Sequence, residues 1–226
     1  MNDFNIFQQE SKKLGIEIKN NQLDLFKTYY KVLLEWNEKI NLISRKEENI
    51  LERHFLDSIL FLPEIEKLCR CWSRPAPTAT VLDIGSGGGF PAIPLAIMKP
   101  KWGFTLCESI KKKANFLTHL VKELGLKNIT VINDRVENIA SKGRFQTCLY
   151  KNKFDFVTVR AVAKLDVLIK YALPLLQKDG YLLAYKAKDI DEEIKNITLP
   201  LQIFSKELNG VERKLVVIQP WYSSIS

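Results

Sequence analysis

A chain of 226 residues with 46% hydrophobic content can bury a sizeable core, as one large domain or as a domain with an appendage. Its 34 Lys and Arg against 26 Asp and Glu leave a net charge of +8, which favours polyanionic partners. Two histidines and four cysteines without a paired C-x-x-C argue against a metal centre. With neither a secretory signal nor the ~18-residue apolar run of a membrane helix read in the chain, a reducing cytoplasmic location without disulfides is expected.

Residues 1–80 hold no strand-like alternation. Leu23, Phe26, Tyr30, Leu33 and Leu34 recur at helical spacing, and Ile50, Leu51, Phe55, Ile59 and Leu62 do so again before Pro63. The pattern predicts a small helical N-terminal appendage over 1–68, its apolar stripes forming core rather than a partner surface. An exposed linker over 69–79 follows, around Cys69, Cys71 and Trp72, and then a larger domain over 80–226. His54 and Asp57 lie at i and i+3 on one helix face, so Asp57 can orient the imidazole or stabilise its cation. The pair is either structural or part of a substrate entrance.

The run Val81-Leu82-Asp83-Ile84 leads without a spacer into Gly85, Gly87 and Gly89, glycines at alternate positions followed by Phe90. Such glycines let the backbone take φ > 0 and approach a ligand, while the next helix turns its N-terminus to the same space. The dinucleotide fingerprint needs a glycine where Phe90 stands; the pattern here is D-x-G-x-G-x-G. Asp83 at the strand end can hold the loop or meet a cationic amine. S-adenosyl-L-methionine, with an ammonium, a sulfonium and no phosphate, suits that charge better than a dinucleotide.

A second strand, Phe104 to Cys107, ends at Glu108, where doubly wound folds place a carboxylate for ribose hydroxyls. Glu108 also suits the N-terminus of the helix predicted over Ser109–Leu124, and the two roles are compatible. Asn128–Ile132 reads as a third strand, and the turn Asn133–Glu137 after it, with Val136 and Glu137, can grip an adenine. The fourth strand, Phe154–Val159, ends at Arg160 beyond the sheet edge, where ligands of open α/β sheets bind. A helix is predicted from Lys164 to near Gly180, a fifth strand over Tyr181–Lys186, and a hairpin over Leu199–Pro220 turning at Asn209-Gly210. This order is that of an α/β, class I S-adenosylmethionine-dependent methyltransferase fold, a Rossmann-like mixed seven-stranded sheet with a terminal antiparallel hairpin.

Charge is uneven. Residues 1–80 carry 12 basic and 12 acidic side chains, residues 81–226 carry 22 and 14, so the excess sits on the larger domain. Lys111, Lys112, Lys113, Lys142, Arg144, Lys151 and Lys153 either form solvated faces or ring the site mouth. Lys164, Lys186 and Lys188, at or after strand ends, are the candidate RNA contacts.

Several separate segments now support a family resemblance: Trp36-Asn37-Glu38-Lys39-Ile40-Asn41-Leu42, Arg53-His54-Phe55-Leu56-Asp57-Ser58, the glycine loop through Phe90-Pro91-Ala92-Ile93-Pro94-Leu95, Arg135-Val136-Glu137 and Val159-Arg160-Ala161. Over nearly its full length the chain resembles the bacterial ribosomal small-subunit methyltransferase G family, known as RsmG or GidB. The resemblance implies cofactor contacts at Gly85, Phe90, Val136, Glu137 and Arg160. It also implies methyl transfer to N7 of a guanine in 16S ribosomal RNA, as part of the small subunit or an assembly intermediate; a monomer is expected. Ala187 departs from the glycine expected after the fifth strand.

Guanine N7 carries no proton, so attack on a sulfonium methyl needs no general base and positioning dominates. Arg160 is expected to anchor guanine O6 or a phosphate, with His54 and Asp57 beside the reacting centre. Two other readings share the same residues: a methyltransferase of a small molecule or protein, and a non-catalytic RNA-binding or ribosome-assembly protein.

Overall fold

The computed structural model describes residues 2–70, 78–141, 153–160, 164–186 and 190–220. Residues 71–77 of the expected linker, and Lys142, Arg144, Lys151, Ala161 and Lys188, lie outside that set. The chain begins with helices α1 (Asn2–Lys13) and α2 (Asn20–Asn37). A π-helical stretch, Leu51–Leu56, runs directly into α3 (Asp57–Ile59), and α4 (Leu62–Arg70) follows. Strands and helices then alternate as β1 (Thr80–Ile84), α5 (Ala92–Met98), β2 (Gly103–Cys107), α6 (Lys111–Glu123), β3 (Ile129–Ile132), α7 (Val136–Ser141), β4 (Phe154–Arg160), α8 (Leu165–Ala172), β5 (Leu176–Lys186) and α9 (Asp191–Ile194). The hairpin β6 (Leu201–Leu208) and β7 (Val211–Ile218) closes the chain.

The seven strands are ordered β3-β2-β1-β4-β5-β7-β6. The first five are parallel, and β7 enters antiparallel between β5 and β6. Because side chains alternate across a strand, consecutive residues feed opposite cores. Phe156, Leu183, Leu215 and Val217 join one cluster with α1–α6; Val157, Leu182, Val216 and Ile218 join another with α7–α9. Asn209 and Gly210 turn the hairpin with φ of 46° and 75°, the two positive values a type I′ turn requires. Among the described residues, no helix is long and apolar enough to cross a membrane.

The N-terminal helices share their core with the sheet. Phe55, fully buried, lies 5.9 Å from Phe26, 4.8 Å from Tyr29 and 5.2 Å from Phe90, ring centre to ring centre, so the helical unit and the glycine loop pack on one residue. Truncating it to Ala removes a core aromatic, a loss of about 3–5 kcal/mol. Within α2 the inward positions are Leu23, Phe26, Tyr29, Val32 and Leu33, whereas Tyr30 is half-buried and Leu34 is 37% exposed. Tyr29 thus takes the inward place that helical spacing gave to Tyr30. Buried Asn37 turns the chain after α2: its Oδ1 accepts from Leu42 N at 2.9 Å and Ile43 N at 3.0 Å.

Three expectations are corrected. Cys69 is 4% exposed inside α4, so the helical unit extends to Arg70 and Cys69 is core rather than exposed linker. Pro63 lies in the first turn of α4, where a missing N–H costs nothing, and does not follow the helix as its stop. The helix expected to reach Gly180 ends at Ala172, because Pro174 cannot extend it, and β5 already begins at Leu176. Gly180 therefore lies within β5 beside a register shift between Phe154 and Phe156, where an added Cβ would be 3.0 Å from the carbonyls of Phe154 and Asp155.

Candidate active site

The register Ile84↔Cys107, Cys107↔Ile132 and Ile84↔Val159 makes the C-terminal ends of β1–β4 flush. Asn133, Glu108, Gly85 and Arg160 therefore follow one another along a single sheet edge. The loop after β1 takes φ of 70° at Gly85, 52° at Gly87 and 94° at Gly89, left-handed values that glycine adopts without strain. Gly85 N and Ser86 N both donate to Cys107 O, at 2.9 and 3.3 Å, and Gly89 N donates to Ser86 O at 2.6 Å. Phe90-Pro91 is a cis peptide.

Glu108 bridges loop and strand. Its Oε2 accepts from Gly87 N at 2.8 Å and its Oε1 from Ile110 N at 2.8 Å, with the residue only 4% exposed. Each oxygen retains acceptor capacity beyond the loop clamp. The contact with Ile110 N is the helix N-terminal role expected of Glu108.

Asp83 is 1% exposed beneath the loop. Its Oδ1 accepts from Thr158 Oγ1 at 2.7 Å, while Oδ2 has no hydrogen-bond partner. Burial pushes the carboxyl up to about 7, against the pull of Ser86 and Thr158, with Glu108 adding to the rise. A buried carboxylate oxygen without a partner is costly and invites a cation. In charge, the ammonium of an amino-acid-bearing cofactor suits that oxygen; a phosphate does not.

Beyond Glu108 a cleft of about 280 Å³ is lined by Ile84, Gly85, Cys107, Asp134, Val136 and Glu137. Its rim is ordered locally: Asn133 Nδ2 donates to Glu108 O at 2.8 Å, and Asp134 Oδ1 accepts from Arg135 N at 2.8 Å. The Cys107 Sγ donates to Asp134 O at 3.3 Å, and burial followed by the Asp134 charge pushes this thiol up to about 12. It is a packing group, not a nucleophile.

Arg160 does not stand free at the mouth. Its Nη2 donates to Arg53 O at 2.6 Å and lies 3.2 Å from Asp57 Oδ2, while Nη1 reaches His54 O at 3.5 Å. The guanidinium sits 5.8 Å above the Phe90 ring. Asp57 Oδ1 is in turn 3.3 Å from Arg213 Nε, so the carboxylate is flanked by two arginines, from β4 and β7. The expected His54–Asp57 pairing is replaced by this arrangement, because two guanidinium groups outcompete a neutral imidazole for one carboxylate. His54 Nδ1 instead faces Arg160 Nη2 at 3.3 Å, and since arginine can only donate, Nδ1 accepts and Nε2 carries the proton. Burial first, then Arg160 and Arg53, lowers His54 to about 3, so its cation is disfavoured.

Of the candidate RNA contacts, Lys164 is exposed at the N-cap of α8, whereas Lys186 is paired with Glu193 at 2.7 Å. Lys111 and Lys112 are exposed at the start of α6, and Lys113 is half-buried there. Sequence reasoning missed Tyr29 and Arg213. Tyr29 donates from its hydroxyl to Gly88 O at 2.5 Å and stacks on Phe90, 5.3 Å between ring centres at 19°. The Tyr29-Tyr30 doublet was the only local signal, and nothing around Arg213 marks it.

A mixed seven-stranded sheet in this order, with a glycine turn after β1 and a carboxylate after β2, defines a class I methyltransferase. Solved structures agree on the fold. The methyltransferase domain of METTL16 matches with a TM-score of 0.57 at 14% identity, over 86% of this chain and 80% of that one. A SAM-dependent methyltransferase from Aquifex aeolicus matches with a TM-score of 0.54 at 15% identity, over 84% and 98%. The family described as rRNA small subunit methyltransferase G matches residues 22–215, and the chain belongs to that family. A ribosomal RNA small subunit methyltransferase G from Desulforamulus reducens is 39% identical over 215 residues, 94% of this chain and 84% of the relative.

Proposed function

We propose that this protein methylates N7 of one guanine in 16S ribosomal RNA, within the small subunit or an assembly intermediate, acting as a cytoplasmic monomer. The observation that carries the cofactor half of the reading is the buried Asp83 carboxyl with its unpaired Oδ2 beneath the glycine loop. Membership of the small subunit methyltransferase G family supports the substrate.

Asp83 Oδ2 would receive the ammonium of S-adenosylmethionine, Gly85, Gly87 and Gly89 would let the backbone approach it, and Glu108 would accept the ribose hydroxyls. Val136 and Glu137, which line the cleft after β3, would border the adenine. When bound, the cofactor supplies a sulfonium methyl group that guanine N7 attacks in line. No proton leaves N7, so this chain needs no base, and the lowered His54 and the buried Cys107 thiol are consistent with that. Arg160 acts through position: it holds the Arg53–Asp57 segment against Phe90, and Asp57 offsets its charge. That offset matters because an unbalanced cation would oppose the positive charge developing on the purine. Lys164 and the exposed lysines of α6, together with Lys188, draw in phosphates.

The test is methyl transfer from radiolabelled S-adenosylmethionine to small subunits from cells lacking the modification, with sites mapped by chain cleavage at 7-methylguanine. Label at a single guanine is expected. Label at another atom, or cofactor binding without any transfer, would replace this reading with another acceptor or a non-catalytic role.

A further inference from the structure

The helical unit reaches into the cofactor loop through one side chain. Tyr29 is fully buried, yet its hydroxyl meets a backbone carbonyl of the loop itself, Gly88 O, at 2.5 Å. Its ring stacks on Phe90 at the other end of the same loop. Between these two contacts lies Gly89, where an added Cβ would come within 2.7 Å of the Tyr29 hydroxyl and of Ile93 Cδ1. On the sheet side the loop is held by Glu108 and by Cys107 O; Tyr29 grips it from the side of α2.

The geometry points to Tyr29 as a positioning residue for the cofactor: α2 clamps the glycine loop in its binding conformation, so the helical unit belongs to the S-adenosylmethionine site rather than serving only the RNA. The inference rests on the loop at 85–89 being the cofactor loop. A hydroxyl that touched only core would stabilise the fold generally. This one ends on the carbonyl that sets the peptide plane between Gly88 and Gly89, whose left-handed φ of 94° leaves little freedom.

Tyr29→Phe keeps the stack and removes the hydrogen bond. Removing one such bond raises the Kd for S-adenosylmethionine and for S-adenosylhomocysteine by about 3- to 10-fold. The KM for small subunits and kcat at saturating cofactor are expected to stay within about two-fold, the signature of lost ground-state binding. Val32→Ala, buried on the same helix and without a polar group, is the stability control. Equal losses of cofactor affinity in the two variants at matched loss of thermal stability would overturn the assignment, as would unchanged affinity in Tyr29→Phe. Should Tyr29→Phe not fold, hydrogen exchange on the wild-type protein decides: added S-adenosylmethionine must slow exchange in α2 around Tyr29, and no change there refutes the clamp. Gly85→Val separates the two levels, since retained cofactor binding in that variant refutes the loop assignment itself.

Discussion

Asp57 on α3 and Arg160 at the end of β4 meet at 3.2 Å, a carboxylate from the helical unit against a guanidinium from the sheet. Arg213 approaches the other carboxylate oxygen at 3.3 Å, so one buried anion ties three separate elements together. Burial raises Asp57 above its ordinary range, and the two arginines work against that rise.

Replacing Asp57 with Asn leaves two arginines facing each other without an anion. The expected cost is about 3–5 kcal/mol, the penalty for breaking a buried pair from one side. Arg213→Met is expected to cost less, because Asp57 keeps Arg160. Denaturant unfolding of both variants gives the order; an Arg213→Met loss equal to or above that of Asp57→Asn would contradict it.

Asp83 makes stability and cofactor binding respond oppositely to pH. The folded carboxyl titrates near 7 against an ordinary 3.8, so the fold holds its proton more tightly than the unfolded chain. The corresponding stability is present below the unfolded value and lost as pH rises through about 7. Asp83→Asn is expected to abolish that slope while weakening S-adenosylmethionine binding. Cofactor affinity of the wild type, which needs the ionised form, should climb between about pH 6 and 7.5. Calorimetric titration across that range checks both signs.

His54 works in the other direction. Its folded value of about 3 lies below the ordinary 6.5, so the stability its neutral ring contributes is present above 6.5 and lost as pH falls toward 3. Histidine NMR resonances should show the His54 ring neutral and unchanging from about pH 5 to 8. A His54 titration inside that range would mean that the Arg160 contact does not persist in solution.

Two glycines provide a matched pair. Gly89→Ala drives a methyl group against Tyr29 and Ile93 at a left-handed φ, with an expected loss of at least ~2 kcal/mol and of cofactor binding. Gly103→Ala, at the open start of β2 with nothing within 4 Å of the new Cβ, should leave the melting temperature within a few degrees. Thermal melts with and without S-adenosylmethionine distinguish the two.

What the amino-acid order determined was whatever depends on neighbours along the chain. Alternate glycines after an apolar strand need no partner to declare a φ > 0 loop, short apolar runs between turn signals declare β1 to β4, and Asn209-Gly210 declares its own turn. Glu108 was legible for the same reason, since its distance from Gly85 is set by one strand–helix–strand unit. The early end of α8 was written locally as well, in Pro174. Tertiary structure alone decided which charges meet. His54 and Asp57 are neighbours on a helix, yet Arg160 and Arg213, remote in sequence, take the carboxylate because buried guanidinium groups need an anion more than a neutral imidazole does. Lys186 likewise appears free in sequence and is neutralised by Glu193 in space. Tyr29 and Tyr30 are equivalent to a helical pattern. Only the approach of α2 to the loop after β1 selects which hydroxyl is buried, and a buried hydroxyl must find an acceptor, here the carbonyl of Gly88.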